Sequence, residues 1–376
     1  LTHSQYIRSI INHKSIKMRI HFLVLLFFYL ISYGQKIETG KIDNAPFKII
    51  IPENWNNGLV MYVRGAGGGG PLESFIEDEN KKQFNQIITS RGYALAYSAF
   101  SKEGDSFFEA FEETEVLRSY FVEKYGQPDL TLITGHSMGG MISIASIETY
   151  KNKYDGALPM CSFLPSPNIH SKICLDRLVL FDYFYGANDG KIVNSKEYVS
   201  DEEIKKLISK NKSFNKIFAE YLKVKEEDIP VIIGFSQWVI KRTIENYGGL
   251  AIGNRLTMYD GFDSFNEKLN QEVRRYDFDK NINELFKNIR EFDGELSDPV
   301  LNVMTTYDPL LPPGFNEIYK FSLDKEESID FYAQQYVDNE GHCNISNEQF
   351  ATAFDDLINW IDTGNKPNFK EIQLLK

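Results

Sequence analysis

Short apolar runs alternate along this chain with stretches in which apolar residues recur every three or four positions. Residues 47–51 and 59–63 read as strands, the second running into Arg64-Gly65-Ala66-Gly67-Gly68-Gly69-Gly70-Pro71. A strand at 93–97 precedes a helix with Phe108, Phe111, Leu117 and Phe121 near one face. Residues 130–134 form a buried strand that enters Gly135-His136-Ser137-Met138-Gly139-Gly140, with helix over 141–150 and a further strand at 156–161. From 165 to 298 the alternation stops and the periodicity is helical throughout. Ser200-Asp201-Glu202-Glu203 reads as a capping box ahead of Ile204, Leu207 and Ile208. Phe214, Ile217, Phe218 and Tyr221 repeat the spacing. So do Val231, Phe235 and Trp238 between Pro230 and Gly248-Gly249, then Ile282, Leu285, Phe286 and Ile289. Strands resume at 300–304 and 329–337, and Ser346-Asn347-Glu348-Gln349 caps a last helix carrying Phe350, Phe354, Leu357 and Ile361.

Strands alternating with helices predict an α/β fold with a mostly parallel sheet covered on both faces. The helical segment 165–298 falls between late strands of that sheet. It is expected to cap the carboxyl edge, where such sheets bind ligands, with the core formed by 35–164 and 299–376.

Composition fits a large globular core, with 42% hydrophobic and 14% aromatic residues in 376. Net charge is −12, and no basic stripe follows the first two dozen residues, which disfavours a nucleic-acid partner. Lys17 and Arg19 precede an apolar run at 22–31 and then Ser32-Tyr33-Gly34, the pattern of an export signal cleaved after Gly34. Met18 sits where such a signal begins, which makes 1–17 an over-extended start and 1–34 the targeting segment. The run is short for a bilayer span, so the expectation is a secreted or periplasmic protein without stable membrane insertion.

Gly-x-Ser-x-Gly between a strand and a helix is a nucleophile elbow, which presents Ser137 on a tight turn that the flanking glycines permit. A serine hydroxyl needs a base. Of six histidines, His3, His13 and His21 fall in or before the export signal, and His136 is too close to Ser137 on a tight turn. His170 opens the helical segment, which leaves His342 in the loop Glu340-Gly341-His342-Cys343-Asn344. Asp308, in Thr306-Tyr307-Asp308-Pro309-Leu310, supplies the carboxylate that orients the imidazole, with Asp338 and Glu340 as rivals. The order Ser, Asp, His is that of the elbow-bearing fold. No Gly-Lys-Ser or Gly-Lys-Thr follows the polyglycine run, so a phosphate cradle gives way to an oxyanion loop. Its backbone donor is Ala66, or else Gly67, acting with the N–H of Met138. This chemistry calls for no metal and no cofactor.

Together these residues resemble the α/β-hydrolase superfamily. The segment from Phe47-Lys48-Ile49 to Pro52-Glu53-Asn54-Trp55-Asn56, with Ala157-Leu158-Pro159-Met160-Cys161 and Gly341-His342-Cys343, is similar to a bacterial group of capped, exported hydrolases and esterases. Feruloyl esterases and tannases also place Cys directly after the histidine, bridged there to a Cys directly before the serine. Here His136 holds that position, and Arg64-Gly65 replaces the usual His-Gly before the oxyanion residue. The resemblance implies acyl transfer to water, with ester hydrolysis of a small-molecule or polymeric substrate ahead of a serine peptidase. A catalytically silent binding protein is the reading from another class. Trp238, Tyr183 and Phe184 are expected to hold an apolar or aromatic acyl group, their alternative being the core of the cap itself. Of the three cysteines, Cys161 ends the strand beside the one delivering Ser137, and Cys343 adjoins His342, whose loop crosses the same edge. The expected bridge is Cys161–Cys343, with Cys174 left in the cap.

Overall fold

The computed structural model describes residues 34–66, 79–102, 106–186, 188–194, 197–288, 292–325, 327–367 and 374–375. Residues 1–33, which hold all but the last position of the expected export signal, and the run from Gly67 to Pro71 lie outside the described residues. The sheet comprises β1 (Lys36–Ile42), β2 (Ala45–Ile51), β3 (Gly58–Val63), β4 (Ala94–Ser98), β5 (Leu130–His136), β6 (Gly156–Met160), β7 (Val300–Tyr307), β8 (Tyr332–Glu340) and β9 (Leu374–Leu375). Their spatial order is β1-β2-β4-β3-β5-β6-β7-β8-β9. β1 and β2 form an antiparallel hairpin that pairs antiparallel with β4, and every later pairing is parallel. An antiparallel entry, exchanged β3 and β4, and a central β5 ending in the serine turn make this an α/β-hydrolase fold.

The side-chain period of two sorts the core to the two faces of the sheet. Ile49, Leu59 and Ile133 pack against α2 (Phe107–Tyr125) and α3 (Met138–Thr149). Their neighbours Ile50, Val60 and Leu132 pack against α1 (Glu79–Ser90) and α11 (Asn347–Thr363). Ser346 completes a reciprocal capping box with Gln349 at the start of α11.

Between β6 and β7 the chain forms α4 (Pro167–Phe184), a single turn at Lys191–Asn194, α5 (Asp201–Lys210), α6 (Asn215–Leu222), α7 (Ile229–Tyr247), α8 (Asn266–Glu272) and α9 (Lys280–Asn288). These helices share a core of their own, built on Leu178, Phe181, Phe184, Phe218, Ile232 and Phe262. α10 (Glu317–Lys325) links β7 to β8.

Several boundaries differ from the pattern-based reading. Ile329–Phe331 is a 3₁₀ turn, and the strand begins at Tyr332 and runs on to Glu340. β1 is an exposed edge strand whose lysines and glutamate conceal its alternation. α1 carries few apolar residues in an otherwise polar stretch, and α4 mixes polar and apolar residues on a helix buried nearly all round, so neither announces itself by a facing stripe. At Ser200 only the forward half of the box is present, the hydroxyl accepting from the Glu203 N–H at 3.2 Å.

Candidate active site

β5 delivers Ser137 at φ 56° and ψ −118°, and α3 begins at the next residue. Ser137 is fixed there by its N–H, which donates to the Met160 carbonyl at 2.9 Å. The glycines around it are required by contact. A Cβ on Gly135 would stand 2.4 Å from the Val63 carbonyl oxygen, and one on Gly139 would stand 2.0 Å from the same atom. The end of β3, the elbow and the first turn of α3 are therefore in direct backbone contact. Met138, as the first residue of α3, offers an N–H with no helical acceptor, at the positive end of the helix. Gly65 passes close to the elbow, and Ala66 lines the same cleft as Ser137.

β7 and β8 bring up the other two groups. The Gly341 N–H donates to the Tyr307 carbonyl at 2.8 Å, and Thr305 Oγ1 donates to the Gly341 carbonyl at 3.1 Å. These bonds tie the loop after β8 to the end of β7. From that loop His342 places Nε2 2.9 Å from Ser137 Oγ and Nδ1 2.7 Å from Asp308 Oδ2. Asp308 is 1% exposed, and its Oδ1 accepts from the N–H groups of Leu310 at 2.9 Å and Leu311 at 3.0 Å. Its rivals point elsewhere. Glu340 pairs with Lys225 at 2.6 Å, and Asp338 is exposed on β8.

The Cys161–Cys343 disulfide is present, with Cα atoms 5.1 Å apart, and buried Cys174 takes no part in it. Because β7 lies between β6 and β8, the bridge crosses over the end of the strand that carries Asp308. It also leaves Cys343 Sγ 3.5 Å from His342 Nε2.

The other two described histidines lie outside the Ser137–His342–Asp308 line. His136 lies against Phe84 and accepts from the Tyr62 hydroxyl at 3.2 Å, and burial, helped by His342, pushes it down to about 4. His170 borders the cleft, where burial, with Arg177 and His342 nearby, pushes it down to about 3.

Around Ser137 the cleft is narrow and walled by the rings of Phe107, Phe108, Phe235, Trp238, Tyr247 and Phe286. Trp238 thus faces the serine. Tyr183 and Phe184 do not line the cleft. Phe184 is buried against Phe214 and Phe262 within the insertion, and the Tyr183 hydroxyl donates to Glu272. The aromatic run at 181–185 is apolar enough to be core, and it is core. Phe107, Tyr247 and His170 were not legible as cleft residues, since their roles depend on how α4 and α7 settle on the sheet.

Three comparisons relate the chain to known proteins. An o-phthalyl amidase from Xanthobacter agilis is 26% identical over 132 residues, which cover 34% of this chain and 27% of the amidase. The match therefore spans about a quarter of that relative's length. An esterase from Aspergillus oryzae superposes at 12% identity and a TM-score of 0.49, covering 89% of this chain and 80% of that one. The acylaminoacyl peptidase of Pyrococcus horikoshii superposes at 11% identity and a TM-score of 0.46, covering 93% of this chain and 45% of that one. A family profile matches residues 42–260, more than half of the sequence. The chain has an α/β-hydrolase fold and belongs to the tannase-like family of unknown function, DUF6351.

Proposed function

We propose that this chain cleaves carboxylic esters through an acyl-enzyme formed on Ser137. One observation carries the reading: a single imidazole, His342, spans Ser137 Oγ at 2.9 Å and the buried Asp308 carboxylate at 2.7 Å. As Oγ bonds to the ester carbonyl carbon, Nε2 takes the hydroxyl proton. The Asp308 carboxylate holds the Nδ1–H and stabilises the imidazolium that forms. The carbonyl oxygen becomes an anion, met by the N–H groups of Met138 and Ala66. Collapse expels the alcohol, which leaves with the proton returned by His342. Water then repeats the sequence on the acyl-enzyme, releasing the acid and restoring Ser137.

The rings of the cleft favour a flat or apolar acyl group, and the helical insertion serves as the cap that holds it. Amide cleavage is a second reading, favoured by the match to the o-phthalyl amidase of Xanthobacter agilis. The disulfide and the N-terminal pattern support an exported protein.

The test compares p-nitrophenyl esters of graded and aromatic acids with the corresponding anilides, for the native chain and Ser137→Ala. Ester turnover that vanishes in Ser137→Ala, with unchanged circular dichroism, is expected. Anilides turned over faster than esters would transfer the assignment to amides, and ester turnover surviving in Ser137→Ala would reject Ser137 as nucleophile.

A further inference from the structure

One buried cation of the insertion reaches the catalytic centre and has no duty in the scheme above. On α4, His170, Cys174 and Arg177 stand four and then three residues apart, on one side of the helix. His170 borders the cleft and its Nε2 lies 3.7 Å from Cys174 Sγ. Arg177 is 3% exposed, and its Nη1 donates to the Leu310 carbonyl at 3.3 Å.

That carbonyl belongs to the same peptide group as the Leu311 N–H, which donates to Asp308 Oδ1 at 3.0 Å. Guanidinium, peptide group and carboxylate therefore form one line, which continues through Oδ2 to His342. A cation at a peptide oxygen polarises the group and strengthens the bond its N–H gives, more so in a dry interior. The arrangement is expensive. Desolvating a guanidinium is costly, and an apolar side chain of similar volume would fill the space at less cost. Burial pulls Arg177 below its usual range, and the neighbourhoods of Cys174, Tyr221 and Asp308 push back.

We propose that Arg177 is a positioning residue that acts from the inserted helices through the Leu310–Leu311 peptide group to hold Asp308 in register with His342. On this account the insertion is part of the catalytic framework as well as the wall of the cleft, an inference that rests on the triad reading above.

The test uses Arg177→Met and Arg177→Lys in the full chain, alone and combined with Asp308→Asn, on p-nitrophenyl acetate and on an aromatic ester. A misplacement of this kind costs up to about a hundredfold in rate. Arg177→Met is expected to lower kcat by tenfold to about a hundredfold on both esters, with KM moving less than about threefold, and Arg177→Lys to recover part of the loss. In the Asp308→Asn background the same substitution should cost less than about twofold, because the group it serves has lost its charge. An unchanged kcat in Arg177→Met would overturn the proposal. So would an undiminished loss in the Asp308→Asn background, or an effect confined to KM for the aromatic ester. If Arg177→Met fails to fold, the cycle with Arg177→Lys decides on the same criteria. A silent Asp308→Asn would remove the triad reading and this inference with it, whereas a severe Asp308→Asn beside a silent Arg177→Met removes only the role of Arg177.

Discussion

At Ser137 the backbone holds a φ of 56°, a region that costs a residue with a side chain on the order of 1–3 kcal/mol. The cost is met by crowding. Gly139 lets the first turn of α3 close on the end of β3, where an added Cβ would lie 2.0 Å from the Val63 oxygen and 2.9 Å from that of Arg64. Both are backbone atoms and cannot swing away. Gly139→Ala should therefore destabilise the chain by at least about 2 kcal/mol and shift Met138 enough to lose turnover. Gly314→Ala, whose Cβ would meet nothing within 4 Å, should stay within about 0.5 kcal/mol. Urea unfolding and ester turnover check both, and an unaffected Gly139→Ala would contradict the contact argument. At this scale the serine, aspartate and histidine were legible because each sits in a short segment with its own local signature. The elbow has its glycines, Asp308 has Pro309, and His342 remains after elimination. Arg177 and His170 were not, because a helix buried on all sides carries no sequence mark of the face it turns to the serine.

The elements meet at the carboxyl edge, where the loops after β5, β6, β7 and β8 converge. The Cys161–Cys343 bridge ties the second of these to the fourth across the third, closing a separation of 182 residues. Both cysteines border motifs that had to reach the same edge, which is why the pairing was readable before the fold. The bridge should contribute about 2–5 kcal/mol, chiefly by restricting the unfolded chain, and should also hold the histidine loop. Replacing both cysteines by alanine is expected to lower the thermal midpoint and to reduce kcat more than it raises KM. Reductant added to the native chain should reproduce both changes and do nothing to the double variant. A double variant with native kcat would limit the bridge to stability. Among the elements that escaped the sequence reading, β1 and α1 are those in which charged and amide side chains outnumber the apolar ones.

For the whole molecule, three of the buried titratable groups pull the response to acid in opposite directions. His136 and His170 are displaced by burial from an ordinary 6.5 to about 4 and about 3. The unfolded chain therefore binds protons at these sites first. Their stabilising effect is complete above pH 6.5 and is lost as pH falls below it. Glu148 does the reverse. On α3 it accepts from the Tyr319 hydroxyl at 2.6 Å and the N–H groups of Gly294 at 3.0 Å and Asp293 at 3.2 Å, where the insertion returns to the core. Burial outweighs these donors and raises it from 4.5 to about 7. Its stabilising effect is thus complete below pH 4.5 and lost as pH rises through 7. At about 1.4 kcal/mol per unit, the two histidines outweigh this one glutamate between pH 6.5 and 4.5, while Glu113, Asp155, Asp176 and Asp182, all raised by burial, act on the side of the glutamate. Glu148→Gln removes its own part of the opposing slope. Whatever its stability at a single pH, its deficit relative to the native chain should shrink by about 2–3 kcal/mol between pH 5 and pH 8. Urea titrations of both proteins across that range measure the difference directly, and parallel profiles would show that Glu148 carries no proton of its own in the folded chain.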